Sequence, residues 1–276
     1  MRRLAIRAES WPIAGRFTIS RGSKTAANVV LVEIGEGEHR GLGECVPYPR
    51  YGETVAGAIA AIEALRPRLE AGLDRAELQA ALPAGAARNA VDCALWDLEA
   101  KRTGRSVAEL AGLDALQPVT TAYTLSLDTV ENMAAAARAN AARPLLKLKL
   151  SGPGDLARVR AVHENAPDAR LIVDANEAWT AAVYAELAPQ LMTLGVELIE
   201  QPLPVDADDA LDGLTRPVPV CADESCHDTA SLAQLVGKYD AVNIKLDKTG
   251  GLTEALRLAA AAEEAGLARM VGCMVA

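Results

Sequence analysis

Along LLKLKL (145–150) apolar and charged residues alternate strictly, and the same alternation recurs in LIVDAN (171–176) and AVNIKLD (241–247). Successive side chains of a strand point to opposite faces. Lys147 and Lys149 therefore share one face, against Leu146, Leu148 and Leu150 on the other. Ile172, Asp174 and Asn176 oppose Leu171 and Val173; Asn243, Lys245 and Asp247 oppose Val242, Ile244 and Leu246. From Pro118 onward the pattern predicts strands at 119–126, 145–150, 170–176, 196–201, 218–224, 241–247 and 268–274. Apolar residues at helical spacing fill the gaps, as in Val183, Leu187, Leu191 and Leu194, or Leu252, Leu256 and Ala259. Strands and helices alternating at this interval predict parallel strands joined by helical crossovers.

Before Pro118 the rhythm differs. Strands are expected at 11–19 and 28–34, with GEGEHRG turning the chain back towards Leu42 and Cys45 as a hairpin. Val55, Ile59, Ile62, Leu65 and Leu69 predict one helix, and Val91, Leu95 and Leu98 another. The prolines and glycines of GECVPYPRYGE mark a loop between strands and helices. Residues 1–117 thus read as a small α+β domain and 118–276 as a separate β/α domain.

Composition narrows the classes. Of 276 residues, 50% are hydrophobic and 24% charged, too apolar for a disordered chain. No uncharged run reaches the ~20 residues of a membrane-spanning helix, so no membrane partner is expected. MRRLAIRAES is basic but lacks the apolar stretch of a signal peptide. A net charge of −9, without a basic stripe, argues against nucleic acid. The five cysteines are scattered and form no CxxC pair, which suits a reduced, cytoplasmic protein using them as small packing residues. Trp96 and Trp179 read as structural, and His163 and His227 stand too isolated to assign. No GxGxxG follows the first strand, which weakens a dinucleotide site.

The ionisable residues favour a barrel over an open sheet. Lys149, Asp174, Glu200, Asp223 and Lys245 fall near the ends of successive strands, at intervals of 25, 26, 23 and 22 residues. Catalytic groups at the C-terminal ends of barrel strands give that rhythm. Asp174, Glu200 and Asp223 from three neighbouring strands make an oxygen cage suited to Mg²⁺. Lysines flank the cage, Lys147 and Lys149 on one side and Lys245 on the other. Their pKa values are expected to fall, pushed down by neighbouring cations, a metal and burial. Solvated lysines with a salt bridge to Asp247 are the plainer reading of the same residues. Arg21 and Lys24 in ISRGSKT, with Tyr48 in the PYPRYGE loop, are candidates for covering the mouth and binding a distal anionic group of a substrate. A solvated turn fits those residues equally well.

LLKLKL, VDANE, EQPLP, ADES and NIKLDKTGGL together resemble the enolase superfamily. The resemblance covers nearly the whole chain and implies a modified (β/α)7β TIM-type barrel closed by an N-terminal α+β capping domain. Lysines on both flanking strands resemble the muconate lactonizing enzyme subgroup. GECVPYPRYGE, LPAGAARNAVDCALWDLEA and CADESCH resemble its epimerases of L-Ala-D/L-Glu dipeptides. By this resemblance Asp174, Glu200 and Asp223 are Mg²⁺ ligands and Lys149 and Lys245 the two acid/base groups. Lys147 assists near the substrate carboxylate. The implied reaction is a 1,1-proton transfer through a metal-stabilised enolate, in the metabolism of murein peptides. The chain ends at MVGCMVA, after the seventh expected strand. The resemblance implies an eighth strand there, with an Asp-x-Asp that holds the dipeptide ammonium, and a tail beyond this sequence is expected to supply it. Epimerisation of another dipeptide, o-succinylbenzoate synthesis, and a non-catalytic truncated barrel binding a small carboxylate are the alternatives. A homo-oligomer is the default for a soluble enzyme.

Overall fold

The structure, a computed structural model, describes residues 2–113 and 115–275. Its N-terminal part is an antiparallel three-stranded sheet, β1 (Arg2–Ile19), β2 (Gly22–Glu36) and β3 (His39–Cys45), in that order. Both hairpins turn over two residues, Ser20–Arg21 and Gly37–Glu38. The first two strands are much longer than the alternation at 11–19 and 28–34 predicts. Residues 2–10 hold only two apolar side chains on the core side, buried Leu4 and half-buried Ile6, among arginines, so the hydrophobic pattern there is faint. The pairing of β1 with β2 shifts register between Pro12 and Phe17, and the end of the hairpin runs on to the second sheet. There the Leu127 amide donates to the Thr18 carbonyl at 3.0 Å.

Helices cover one face of this sheet. The single helix expected through Val55–Leu69 is two, Val55–Ala64 and Arg66–Ala71. Pro67 divides them, since proline lacks the amide that would continue the helical bonding. The helix Ala86–Thr103 lies on β3 so closely that a Cβ on Gly43 would stand 2.0 Å from the Ala90 carbonyl oxygen. Val30, Val32, Ile34, Ile62, Leu78 and Val91 are among the residues that fill the space between.

The remaining strands form one parallel, curled sheet of seven: β4 (Tyr123–Leu125), β5 (Leu145–Lys149), β6 (Arg170–Asp174), β7 (Val196–Glu200), β8 (Val220–Ala222), β9 (Ala241–Ile244) and β10 (Ala268–Val271). Neighbours in sequence are neighbours in space throughout, as in a β/α barrel. The strands are shorter than the sequence pattern predicts. Val119, at the start of the first predicted strand, is 85% exposed and lies outside β4. After Ile244 the chain enters a helical turn, Leu246–Thr249, so the alternation that put Asp247 beside Lys245 no longer applies. Two crossovers are 3-10 turns, Val205–Leu211 and Thr229–Gln234, where helices were expected. Pro202, Pro204, Pro217 and Pro219 bracket the first. Leu146, Leu148, Leu150, Leu171, Val173 and Val242 face the covering helices and belong to the larger core. Among the described residues no helix is long and apolar enough to cross a membrane.

Candidate active site

Strand register sets the site. Lys149 pairs across β5 and β6 with Asp174, and Asp174 across β6 and β7 with Glu200. Asp223 follows the last residue of β8. All three carboxylates are buried, and one oxygen from each lies within 4.8 Å of the others. Three like charges this close are tolerated only with countercharge. Four lysines supply it. Lys147 Nζ lies 3.0 Å from Asp174 Oδ2 and contacts Glu200 Oε2. Lys149 donates to Asp174 Oδ2 at 2.6 Å, and Lys245 to Asp223 Oδ2 at 2.6 Å. Lys248, fully buried, donates to Asp223 Oδ1 at 2.6 Å and to the carbonyls of Asp223 and Asn243.

The electrostatics run opposite to the sequence expectation for two of these lysines. Burial opposes the charge on Lys147, but Asp174, Glu200 and Asp223 outweigh it and hold its pKa well above the ordinary value. Lys245 is raised too, because Asp223 and Glu200 outweigh burial. Neighbouring cations matter less than the carboxylates, which stand nearer. The same pairing, against burial, holds Asp174 below the carboxylate range through Lys147 and Lys149, and Asp223 through Lys245 and Lys248. Glu200 goes the other way: burial and the charge on Asp174 raise it. The plainer alternative, a lysine salt bridge to Asp247, is not formed among the described residues. Asp247 instead accepts from the Val46 amide and Asn89 Nδ2, both at 2.9 Å.

The loops leaving β6, β7 and β8 carry residues that the pattern did not single out as functional. Asn176, Glu177 and Gln201 all take positive φ, at 44°, 68° and 34°. Such conformations in non-glycine residues cost energy and persist where surroundings impose them, often at functional sites. Asn176 Oδ1 accepts from Lys149 at 3.1 Å. Gln201 Oε1 accepts from the Asp223 and Ser225 amides at 2.9 and 3.1 Å and so fixes the loop that bears Asp223. Asn243 donates to Glu200 Oε1 at 2.8 Å. Glu224 is buried, its carboxyl pushed up to about 7 by burial and by Asp223 and Asp174. Strand parity put Asn176 and Asn243 on the charged face; Gln201, Glu224 and Lys248 had no such signal.

A cavity of about 460 Å³ opens over the cage, with Lys149, Asp223 and Lys245 in its floor. Arg21, Lys24 and Tyr48 line it from the N-terminal part, together with Phe17 and Ile19. Arg21 is engaged by protein acceptors: its Nη1 donates to the Asn176 carbonyl and Glu177 Oε2, both at 2.9 Å, and its Nη2 to Glu224 Oε1 at 2.6 Å. Arg50 joins Glu177 at 2.7 Å. Lys24 is exposed, forms no ion pair among the described residues, and stands 4.8 Å from the centre of the Tyr48 ring. Cys221 and Cys226 are buried packing residues; Cys273 is exposed and borders the cavity. Trp96 and Trp179 are anchored in the fold by hydrogen bonds to Thr253 and Asp155. His163 lies on the helix Asp155–Asn165. His227 edges the Tyr51 ring at 4.6 Å.

Three converging, buried carboxylates offer hard oxygen donors of the kind that bind Mg²⁺. The residues present fit that ion.

Residues 1–112 match the family described as mandelate racemase / muconate lactonizing enzyme, N-terminal domain. Residues 129–276 match the family described as enolase C-terminal domain-like. The chain is 50% identical over 277 residues to the L-Ala-D/L-Glu epimerase of Escherichia coli K12, covering 100% of this chain and 86% of that protein. Among solved structures it resembles an enolase family member from Agrobacterium tumefaciens with homology to dipeptide epimerases, solved with bound sodium and L-Ala-L-Glu. The TM-score is 0.97 at 53% identity, covering 99% of this chain and 84% of the other. A dipeptide epimerase from Enterococcus faecalis V583, complexed with Mg and L-Leu-L-Tyr, matches with a TM-score of 0.91 at 32% identity, over 98% of this chain and 81% of that one.

Proposed function

The chain belongs to the mandelate racemase / muconate lactonizing enzyme family within the enolase superfamily, and from that premise we propose that it is an Mg²⁺-dependent isomerase epimerising L-Ala-D/L-Glu dipeptides. One observation carries the reading. A buried three-carboxylate cage is flanked by a lysine on either side, at the floor of a dipeptide-sized cavity, in a chain half identical to such an epimerase.

Asp174, Glu200 and Asp223 would hold Mg²⁺, which when bound supplies positive charge against the electron density that builds on a substrate carboxylate. Lys149 ends β5 and Lys245 directly follows β9, with three strands between those two. One takes the α-proton of the Glu residue and the other returns a proton to the opposite face. Two bases on opposite sides are what inversion by proton transfer requires. Lys147, already against two carboxylates, adds a fixed positive charge where negative charge develops. The carboxylates raise Lys147 and Lys245; a divalent cation held by Asp174, Glu200 and Asp223 would offset that pull.

Lys24, which forms no ion pair among the described residues, is placed to receive the side-chain carboxylate of the substrate, with Tyr48 beside it. Arg21 walls the same end, its guanidinium held by Glu177 and Glu224. Residues 1–117 serve as the capping domain and 118–276 as the barrel. The substrate class fits turnover of murein peptides. A cytoplasmic, homo-oligomeric enzyme completes the reading, with the free cysteines in support.

Proton NMR of L-Ala-L-Glu in D₂O with the protein and Mg²⁺ tests it. Loss of the Glu α-proton signal and appearance of the L,D diastereomer are expected. A spectrum unchanged at high enzyme concentration rejects the dipeptide assignment.

A further inference from the structure

The two lysines facing the cavity are supported by different parts of the molecule. Lys245 is held from within the barrel, by Asp223, and Asp223 in turn by Lys248 and Gln201. Lys149 has a second partner besides Asp174, the side-chain oxygen of Asn176. That residue sits at φ 44°, a conformation its surroundings must impose. Its surroundings are the tip of the β1–β2 hairpin. Ser20 Oγ and Arg21 Nη1 both donate to the Asn176 carbonyl, at 3.0 and 2.9 Å. Arg21 Nη2 donates to Glu224 Oε1 at 2.6 Å, and the same oxygen accepts from Asn176 Nδ2 at 3.2 Å.

Glu224 is 2% exposed, and its other oxygen has no hydrogen-bond partner among the described residues. One oxygen therefore joins hairpin and barrel. The hairpin also sets Phe17 with its ring centre 5.8 Å from Lys149 Nζ. Among the described residues no hydrogen bond or ion pair runs from the hairpin to Lys245 or to Asp223.

We infer that the hairpin tip, through Asn176 and Glu224, positions Lys149 and leaves Lys245 unaffected, so that the cap governs one of the two proton-transfer faces. Arg21, Glu224 and Asn176 are positioning residues in this scheme. The tip completes the Lys149 side, whereas the Lys245 side is built within the barrel. The inference rests on the epimerase reading above.

Each diastereomer presents its α-proton to one lysine, so the two faces can be followed separately by α-proton exchange in D₂O, starting from L-Ala-L-Glu and from L-Ala-D-Glu at saturating substrate and Mg²⁺. Lys149→Ala and Lys245→Ala identify which diastereomer each lysine serves. Arg21→Gln, at an exposed turn, and Glu224→Gln, which keeps the side-chain shape, then test the relay. Both are expected to slow abstraction at the Lys149 face ~10-fold or more relative to the Lys245 face, in line with the cost of misplacing a reacting group. Thermal melts check that the variants are folded. If Arg21→Gln slows both faces alike, or neither, the inference falls while the epimerase stands. If the lysine variants do not separate the faces, the inference again falls alone; if wild-type protein exchanges neither diastereomer, the epimerase reading falls and takes the inference with it.

Discussion

Asp247 shows how one residue's neighbours decide its chemistry. It sits two positions beyond Lys245, yet the helical turn after β9 swings it away from the cage towards the Val46 amide and Asn89. Burial, with Glu53 and Glu44 nearby, pushes its carboxyl up to about 6 from an ordinary 3.8. A group whose pKa is raised on folding binds more protons folded than unfolded. Its contribution to stability is complete below pH 3.8 and is lost as pH rises through about 6. Asp247→Asn cannot ionise, so its melting temperature relative to wild type should climb between those pH values and level off above them. The gain corresponds to ~2 kcal/mol for a shift of this size in a half-buried group. Melting curves across the acid range check it, and a difference that does not change with pH contradicts it.

At the scale of elements, the helix Ala86–Thr103 connects the N-terminal sheet to the end of the parallel sheet that bears the carboxylate cage. Its apolar residues Val91, Leu95 and Leu98 are buried among the side chains over the small sheet. A polar group turns to the barrel instead. Arg88 donates to the Thr249 and Gly250 carbonyls at 2.7 and 3.1 Å, and Asp92 accepts from the Thr253 amide and hydroxyl at 2.9 and 2.6 Å. These contacts grip the turn just after Lys245 and Lys248. The grip depends on the close seat of the helix on β3, which Gly41 and Gly43 permit. Gly43→Ala would drive a methyl group into backbone that cannot yield, and should cost ~3 kcal/mol or more, as overpacking of a tight contact does. Urea denaturation reads that loss directly. An unchanged midpoint would mean that the helix seats less tightly than these distances require.

For the whole molecule, the cage is where folding and metal binding meet. Three carboxylates from three strands converge only when the sheet has formed, so a cation that binds them binds the folded state alone. Mg²⁺ should therefore raise the melting temperature in a saturable manner, by ~3 kcal/mol of stabilisation at a hundredfold excess over its dissociation constant, and EDTA should reverse it. Asp174→Asn should abolish the Mg²⁺-dependent rise. A metal response that survives in this variant would place the ion elsewhere.

Strand parity and the spacing of charged residues along the chain are local properties, and they determined much. Lys147 and Lys149 share a face because alternate side chains of a strand must, and the β/α rhythm made the parallel sheet legible. The motifs alone made the family legible. Tertiary structure decided the rest, because those interactions join residues with no sequence relation. Arg21 and Glu224 are 203 positions apart, and Asn176 and Glu224 are 48 apart. No pattern within either segment marks the other. The direction of the lysine pKa shifts is of the same kind, since it depends on which charges stand nearest once the strands are in register. The faint alternation at 2–10 and the end of β9 at Ile244 belong here too. Pairing with β2 made the first a strand, and backbone that turns helical to meet the cap ended the second.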